Sequence, residues 1–122
     1  MVVLILVIGG IASGKRSYVR SLGYGDHEMS DELGAPAPVL LDLDELLRAG
    51  ALDSDSWQTL QRKQVICCCE VGQGVVPLDG NERAWRELVG RTCSRLATEA
   101  SCVIRMVCGI PIVLKQTRSE GA

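Results

Sequence analysis

The chain has no phenylalanine, and its aromatic residues are limited to Trp57, Trp85, Tyr18 and Tyr24. It has one histidine, His27, and its thirteen basic and fifteen acidic side chains leave a net charge of −2. A surface so poor in stacking rings and in excess positive charge excludes a nucleic-acid-binding module, which relies on both. Apolar runs are short as well. The run Val2 to Ile8 stops at Gly9 with no charged segment before it. That is far below the ~20 residues needed to cross a bilayer and unlike a signal peptide, so no membrane partner and a cytoplasmic protein are expected. No C-x-x-C pair occurs among the six cysteines: Cys67, Cys68 and Cys69 are consecutive, and Cys93, Cys102 and Cys108 stand apart. Consecutive strand residues point to opposite faces, so the set reads as reduced, small apolar residues rather than a disulfide or metal framework. At 122 residues the chain suits a single domain, 1–122.

What is present is concentrated at the amino terminus. Directly after Val2 to Ile8 comes Gly9-Gly10-Ile11-Ala12-Ser13-Gly14-Lys15. An apolar strand, a glycine turn and a lysine opening a helix is the layout of a phosphate-binding loop. Glycines let backbone N–H groups turn inward around phosphate oxygens, the lysine reaches the outer phosphates, and the helix start favours negative charge. Lys15 is therefore the candidate catalytic residue, and residues 9–16 the candidate nucleotide cradle. The pattern G-x-x-x-x-G-K-[ST] has a magnesium-ligating hydroxyl after the lysine, where this chain has Arg16.

Further along, the spacing predicts a helix from Lys15 to about Leu22, and then a polar, proline-bearing loop from Gly25 to Pro38 with one helical turn at Met29 to Leu33. Val39 to Leu41 read as a strand ending at Asp42. That carboxylate stands either where a magnesium-holding Walker-B aspartate would or as the cap of a helix starting near Asp44. A helix over Ser54 to Lys63 and a buried strand over Val65 to Cys69 follow, then a second glycine-bearing loop, Glu70 to Pro77. If the strands are parallel, that loop shares a rim with the first. From Asn81, a candidate cap, to about Ala100 the residues Ala84, Trp85, Leu88, Val89, Leu96, Ala97 and Ala100 recur at helical spacing. Arg83, Arg86, Glu87, Arg91 and Arg95 lie on the other face, as a solvated surface or a phosphate contact. Cys102 to Cys108 form a strand broken by Gly109 and Pro111, Ile112 to Leu114 can add an edge strand, and Lys115 to Ala122 should fray. Alternation of strands and helices gives an α/β, P-loop NTPase-like parallel sheet of four to five strands flanked by helices.

Two separated segments resemble one family. Leu6 to Ser17, and then Glu70-Val71-Gly72-Gln73-Gly74-Val75-Val76-Pro77 followed by Arg83, Trp85-Arg86-Glu87-Leu88, Gly90-Arg91, Arg95-Leu96-Ala97 and Gly109-Ile110-Pro111, are similar to the bifunctional adenosylcobinamide kinase/adenosylcobinamide-phosphate guanylyltransferases of cobalamin biosynthesis. The resemblance implies a purine nucleotide donor, GTP or ATP, with Mg2+. It also implies an adenosylcobinamide-type corrinoid whose aminopropanol hydroxyl is phosphorylated before GMP transfer, and a homotrimer. By position, Gly9, Gly10, Ile11, Ala12, Ser13, Gly14, Lys15 and Arg16 would hold the phosphates, Asp42 would match the aspartate of the family's D-C-L-T segment, and Glu70 the glutamate of its second loop.

The chain departs from the family at chemical positions. The family's guanylylated histidine lies in a segment of several dozen residues after the first helix, where this chain has only Gly23 to Pro38; the surroundings of His27 do not match that motif. Arg16 replaces a serine, Cys69 an asparagine, and Cys93-Ser94 an Asn-Gln pair. Two readings follow: a kinase-type enzyme of cobalamin salvage in which guanylyl transfer lacks its nucleophile, or a non-catalytic nucleotide- or corrinoid-binding homologue.

Overall fold

The computed structural model describes residues 4–71 and 79–117. The amino-terminal apolar run becomes β1 (Ile5–Gly9), and the glycine turn leads into α1 (Lys15–Ser21). There follow β2 (Met29–Ser30), β3 (Val39–Leu40), α2 (Leu43–Leu46), α3 (Ser54–Gln61), β4 (Val65–Cys69), α4 (Gly80–Glu99), β5 (Cys102–Val107) and β6 (Ile110–Gln116). They form one six-stranded sheet in the order β2-β3-β4-β1-β5-β6. All neighbours are parallel except β6, which runs antiparallel to β5. Among the described residues no helix is long and apolar enough to cross a membrane.

The central strands are continuous apolar runs because both of their faces are buried. Leu6, Ile66, Cys68 and Val103 face a core shared with Leu43, Leu47, Trp57, Leu60, Val89 and Leu96 of the helices α2 to α4 and their connections. On the opposite face Val7, Val65, Cys67 and Ile104 pack with Val19 of α1. The architecture is therefore three-layered, with α1 on one side and α2, α3 and α4 on the other.

The sheet has six strands where four to five were expected, and the differences have local causes. Met29 to Leu33 does not form a helical turn. The Ser30 hydroxyl accepts the Glu32 N–H at 3.0 Å, a local bond that competes with helix formation, and the Ser30 carbonyl accepts the Leu41 N–H at 2.8 Å, extending the sheet. Pro111 does not break β6. It lies on the outermost strand opposite Met106, where a missing N–H is tolerated. Cys108 and Gly109, with φ of 50° and 79°, make the two-residue turn that pairs Val107 with Ile110.

Helix α4 is capped by Asp79, whose carboxylate accepts the Asn81 N–H at 2.8 Å, so Asn81 is not the cap. Ala84 is exposed rather than part of the apolar face. At the other end the Lys115 ammonium donates to the carbonyls of Ala97 and Thr98, both at 2.9 Å, filling acceptors the last helical turn leaves open. Lys115 is thus held in β6 rather than frayed; residues 118–122 lie outside the described residues.

Lys63 is buried between α3 and β4, and its ammonium donates to the carbonyls of Ala35 and Ala37 at 2.8 and 2.7 Å. These bonds fasten the polar loop before β3 to the sheet. Replacing it with a shape-similar apolar residue, Lys63→Met, leaves two acceptors without their donor. The expected cost is about 1–3 kcal/mol, seen as a lower urea midpoint with an unchanged denaturant slope.

Candidate functional site

The parallel strands β1, β3, β4 and β5 end on one rim, and the candidate residues gather there. Gly9 pairs with Cys69 on one side and Met106 on the other. Its carbonyl accepts the Glu70 N–H at 2.8 Å. From Gly9 the chain turns sharply. Ser13 N–H donates to the Gly10 carbonyl at 3.2 Å, Ala12 has φ 58°, and Gly14 has φ 99° just before α1. The β5–β6 turn closes against the loop from outside, with the Gly109 N–H donating to the Ser13 carbonyl at 2.9 Å. The Lys15 ammonium bends back over the loop and donates to the carbonyls of Gly9 and Gly10 at 3.1 and 2.8 Å. The Ser13 hydroxyl is buried with no partner among the described residues.

Two clefts open on either side of Lys15. The first, about 350 Å3, is lined by Ala12 to Ser17 of the loop and α1 together with Leu41, Asp42 and Cys67. The second, about 660 Å3, is lined by Ile11, Ala12, Lys15, Asp42, Asp44, Glu45, Arg48, Cys69, Glu70, Val71, Glu82, Trp85 and Arg86. Ala12, Lys15 and Asp42 border both. Every predicted site residue from Ala12 to Arg16 thus lines the first cleft, with Asp42. Glu70 joins Lys15 in the second, and Gly10, Ile11 and Glu70 also border a third hollow beside β5. Gly9 lies beneath the loop rather than in a cleft wall. The glycine-bearing turn after Val71 lies outside the described residues.

Asp42 has φ 54° and precedes α2, but its carboxylate makes no capping bond. It is exposed on the cleft and takes part in no ion pair among the described residues. The role of tying α2 in place falls to Asp44 instead. Its buried carboxylate accepts the Cys69 N–H at 2.9 Å, and its carbonyl accepts the Trp85 indole N–H at 2.8 Å. Glu70 is held by Arg105, with 3.1 Å from the guanidinium to its carboxylate. Arg48 stacks on the Trp85 ring at 3.4 Å and binds Glu82 at 2.7 Å. Sequence reasoning missed Asp44, Arg48 and Arg105. The signal for Arg105 was a charge inside an otherwise apolar strand, whereas nothing local marked Arg48. Arg86, read as part of a solvated surface or as a phosphate contact, is half-buried in the larger cleft. Ser17, one position past the expected hydroxyl, also lines the first cleft. His27 sits in a turn at Asp26–Glu28 and lines neither cleft.

A family model described as cobinamide kinase / cobinamide phosphate guanyltransferase matches residues 41–114, which is 74 of the 122 residues. The chain belongs to this family. That ties it to cobinamide phosphorylation and guanylylation in cobalamin biosynthesis, with a purine nucleotide and a corrinoid as the partners of the family's chemistry. No curated protein sequence matches the chain. The matched stretch carries most of the larger cleft, from Asp42 to Arg86, and leaves the loop Gly9 to Lys15 outside it.

A methyl group added at Gly9 would press on the Ser13 hydroxyl and come within 2.8 Å of the Met106 carbonyl. Gly10 has nothing within 4 Å of the same position. Gly9→Ala is therefore expected to lose about 1–3 kcal/mol of stability, while Gly10→Ala stays within ~0.5 kcal/mol of wild type; thermal or urea unfolding of the pair checks this.

Proposed function

We propose that the loop of residues 9–16 binds the phosphates of GTP or ATP in the 350 Å3 cleft, and that the 660 Å3 cleft takes the corrinoid acceptor, making the chain a nucleotide-dependent cobinamide kinase. The observation that carries this reading is the shared border: Lys15 and Asp42 line both clefts. A phosphoryl group leaving one cleft for a hydroxyl held in the other passes between them. Such a transfer depends on positioning and charge stabilisation more than on covalent participation by the protein.

The residues fit the implied groups. Backbone turned through left-handed residues at Ala12 and Gly14 presents amides to an anion, and the orphaned Ser13 hydroxyl offers one further donor. Lys15 has only to exchange two neutral carbonyl acceptors for anionic phosphate oxygens, which makes both partners of each bond charged. For magnesium the cleft supplies the Asp42 carboxylate and the Ser17 hydroxyl, oxygen ligands of the kind that ion takes alongside phosphates. Bound there, magnesium would neutralise phosphate charge. Glu70 is engaged by Arg105 and reads as a wall residue rather than a proton acceptor. The chain's single histidine lines neither cleft, so guanylyl transfer through a phosphohistidine has no residue to carry it.

Arg16 favours a second reading. It stands at the sequence position of the metal-binding hydroxyl and lines the phosphate cleft, which supports tight nucleotide binding without turnover. Purified protein with magnesium, γ-labelled GTP or ATP and adenosylcobinamide separates the two. The kinase reading expects labelled product that falls about 100-fold or more in Lys15→Ala and rises in Arg16→Ser at limiting magnesium. Nucleotide binding with no product in either wild type or Arg16→Ser supports the binding-only homologue, and absence of nucleotide binding removes both.

A further inference from the structure

Helix α4 takes part in two stacks of an arginine on a tryptophan, and they differ in one respect. In the first, beside the larger cleft, Arg48 lies over Trp85 and its charge is met by Glu82 at 2.7 Å. In the second, further along the helix, Arg95 lies over Trp57 of α3 at 3.8 Å and takes part in no ion pair among the described residues. Arg91, four residues earlier and so on the same helix face, is likewise exposed and without an ion pair among the described residues. The neighbouring carboxylates do not answer these charges. Glu99, four residues after Arg95, accepts the Gln61 amide N–H at 2.8 Å, and Asp53 accepts the Ser56 N–H at 2.7 Å as the cap of α3.

Arg91 and Arg95 line a cleft of about 190 Å3 between α3 and α4, together with Leu52, Trp57, Leu88 and Thr92. It shares no lining residue with the two clefts beside Lys15. Trp57 is only 9% exposed, and its indole N–H is buried with no acceptor among the described residues. A buried donor left without an acceptor is costly, and such a group in a native fold calls for an explanation. Two unpaired cations and one unpaired donor border the same hollow, and all three lack the same thing.

We propose that this cleft is a second anion site, in which Arg91 and Arg95 clamp a phosphate group and the Trp57 indole N–H is the third donor. Guanidinium groups present planar, paired donors that match phosphate oxygens, and two of them balance a dianion. Arg95 covers the Trp57 ring, so an anion that engages its guanidinium draws this cover aside and meets the indole. Size limits the ligand. A cleft of about 190 Å3 is smaller than the ~300–1,000 Å3 of sites that enclose drug-sized ligands, so it accommodates a phosphate group, as the free ion or on a small ester, and excludes a nucleotide or a corrinoid. The assignment is independent of what the two clefts at Lys15 bind.

The experiment is a titration of the nitrogen-15-labelled full chain with orthophosphate, read at the indole N–H resonances by two-dimensional NMR at an ionic strength held constant with sodium chloride. The chain has two tryptophans, so the Trp57 peak is assigned as the one missing from Trp57→Phe. In wild type it should move downfield and saturate at millimolar phosphate or below. Arg91→Gln, a change at an exposed position, should weaken that binding about tenfold, the loss of one charge-assisted contact. Lys15→Ala should leave the Trp57 response in place, which separates this site from the loop. Glycerol 3-phosphate distinguishes the source: tighter saturation than with orthophosphate identifies a phosphate carried on an ester, and weaker saturation identifies the free ion. A Trp57 peak that stays still with both, or that moves as far with chloride alone, overturns the proposal in wild type without reliance on any variant. Unchanged affinity in Arg91→Gln, or loss of the response in Lys15→Ala, does the same.

Discussion

Three glycines meet where the loop leaves the sheet, and the geometry of the rim depends on the room they leave. Gly9 sits against Ser13 and the Met106 carbonyl, while Gly14, at φ 99°, lies so close to Gly109 that a side chain there would come within 3.2 Å of its α-carbon. With no side chains in the way, the β5–β6 turn can seat its Gly109 N–H on the Ser13 carbonyl. The loop is thus clamped between a parallel ladder on one side and a hairpin on the other. That clamp fixes where Lys15 begins, and Lys15 in turn divides the rim into its two clefts.

The larger cleft is dense in charge, and its carboxylates have different tasks. Asp44 is spent on structure: one hydrogen bond to β4 and one carbonyl to Trp85 bind α2, the sheet and α4 together. Glu70 and Glu82 are each paired with an arginine, and Arg48 is pinned between Glu82 and the Trp85 face. Cation–π stacking of this kind contributes on the order of 0.5–2 kcal/mol, and it turns a long mobile side chain into part of a wall. Asp42 is different. It is held by its backbone alone, in a left-handed conformation, and its carboxylate faces the cleft without an ion-pair partner among the described residues. The carboxylate least committed to the scaffold stands beside the loop lysine, on the border of both clefts.

Much of this was legible from sequence because the signals were local. Apolar runs, uninterrupted in β1 and β4 and broken only by Arg105 in β5, marked those strands, and glycine and lysine spacing located the loop. The family pattern after β4 singled out the segment now matched by the family model. What was not legible depended on partners distant in the chain. Lys115 could be read as a fraying tail because its acceptors, at Ala97 and Thr98, lie across the β5 turn. Arg48 pairs with Glu82 only because α2 and α4 share a face of the sheet. Asp79 and Asn81 are both competent caps by residue type, and the start of α4 at Gly80 decides between them. Met29 and Ser30 became a strand because a parallel neighbour was available, a tertiary preference that outweighed the local pattern.

The two faces of the sheet divide the work. The α1 face carries the smaller cleft, whose loop depends on backbone geometry and tolerates little change at Gly9 or Gly14. The α4 face carries the larger cleft, walled by Asp44, Arg48, Glu70 and Trp85. Cys68 lies two residues before Glu70 in β4, and Cys93 lies eight residues, about two helical turns, after Trp85 in α4. The strand that positions Glu70 and the helix that positions Trp85 thus rest on the same core layer, which braces both walls of the larger cleft from behind.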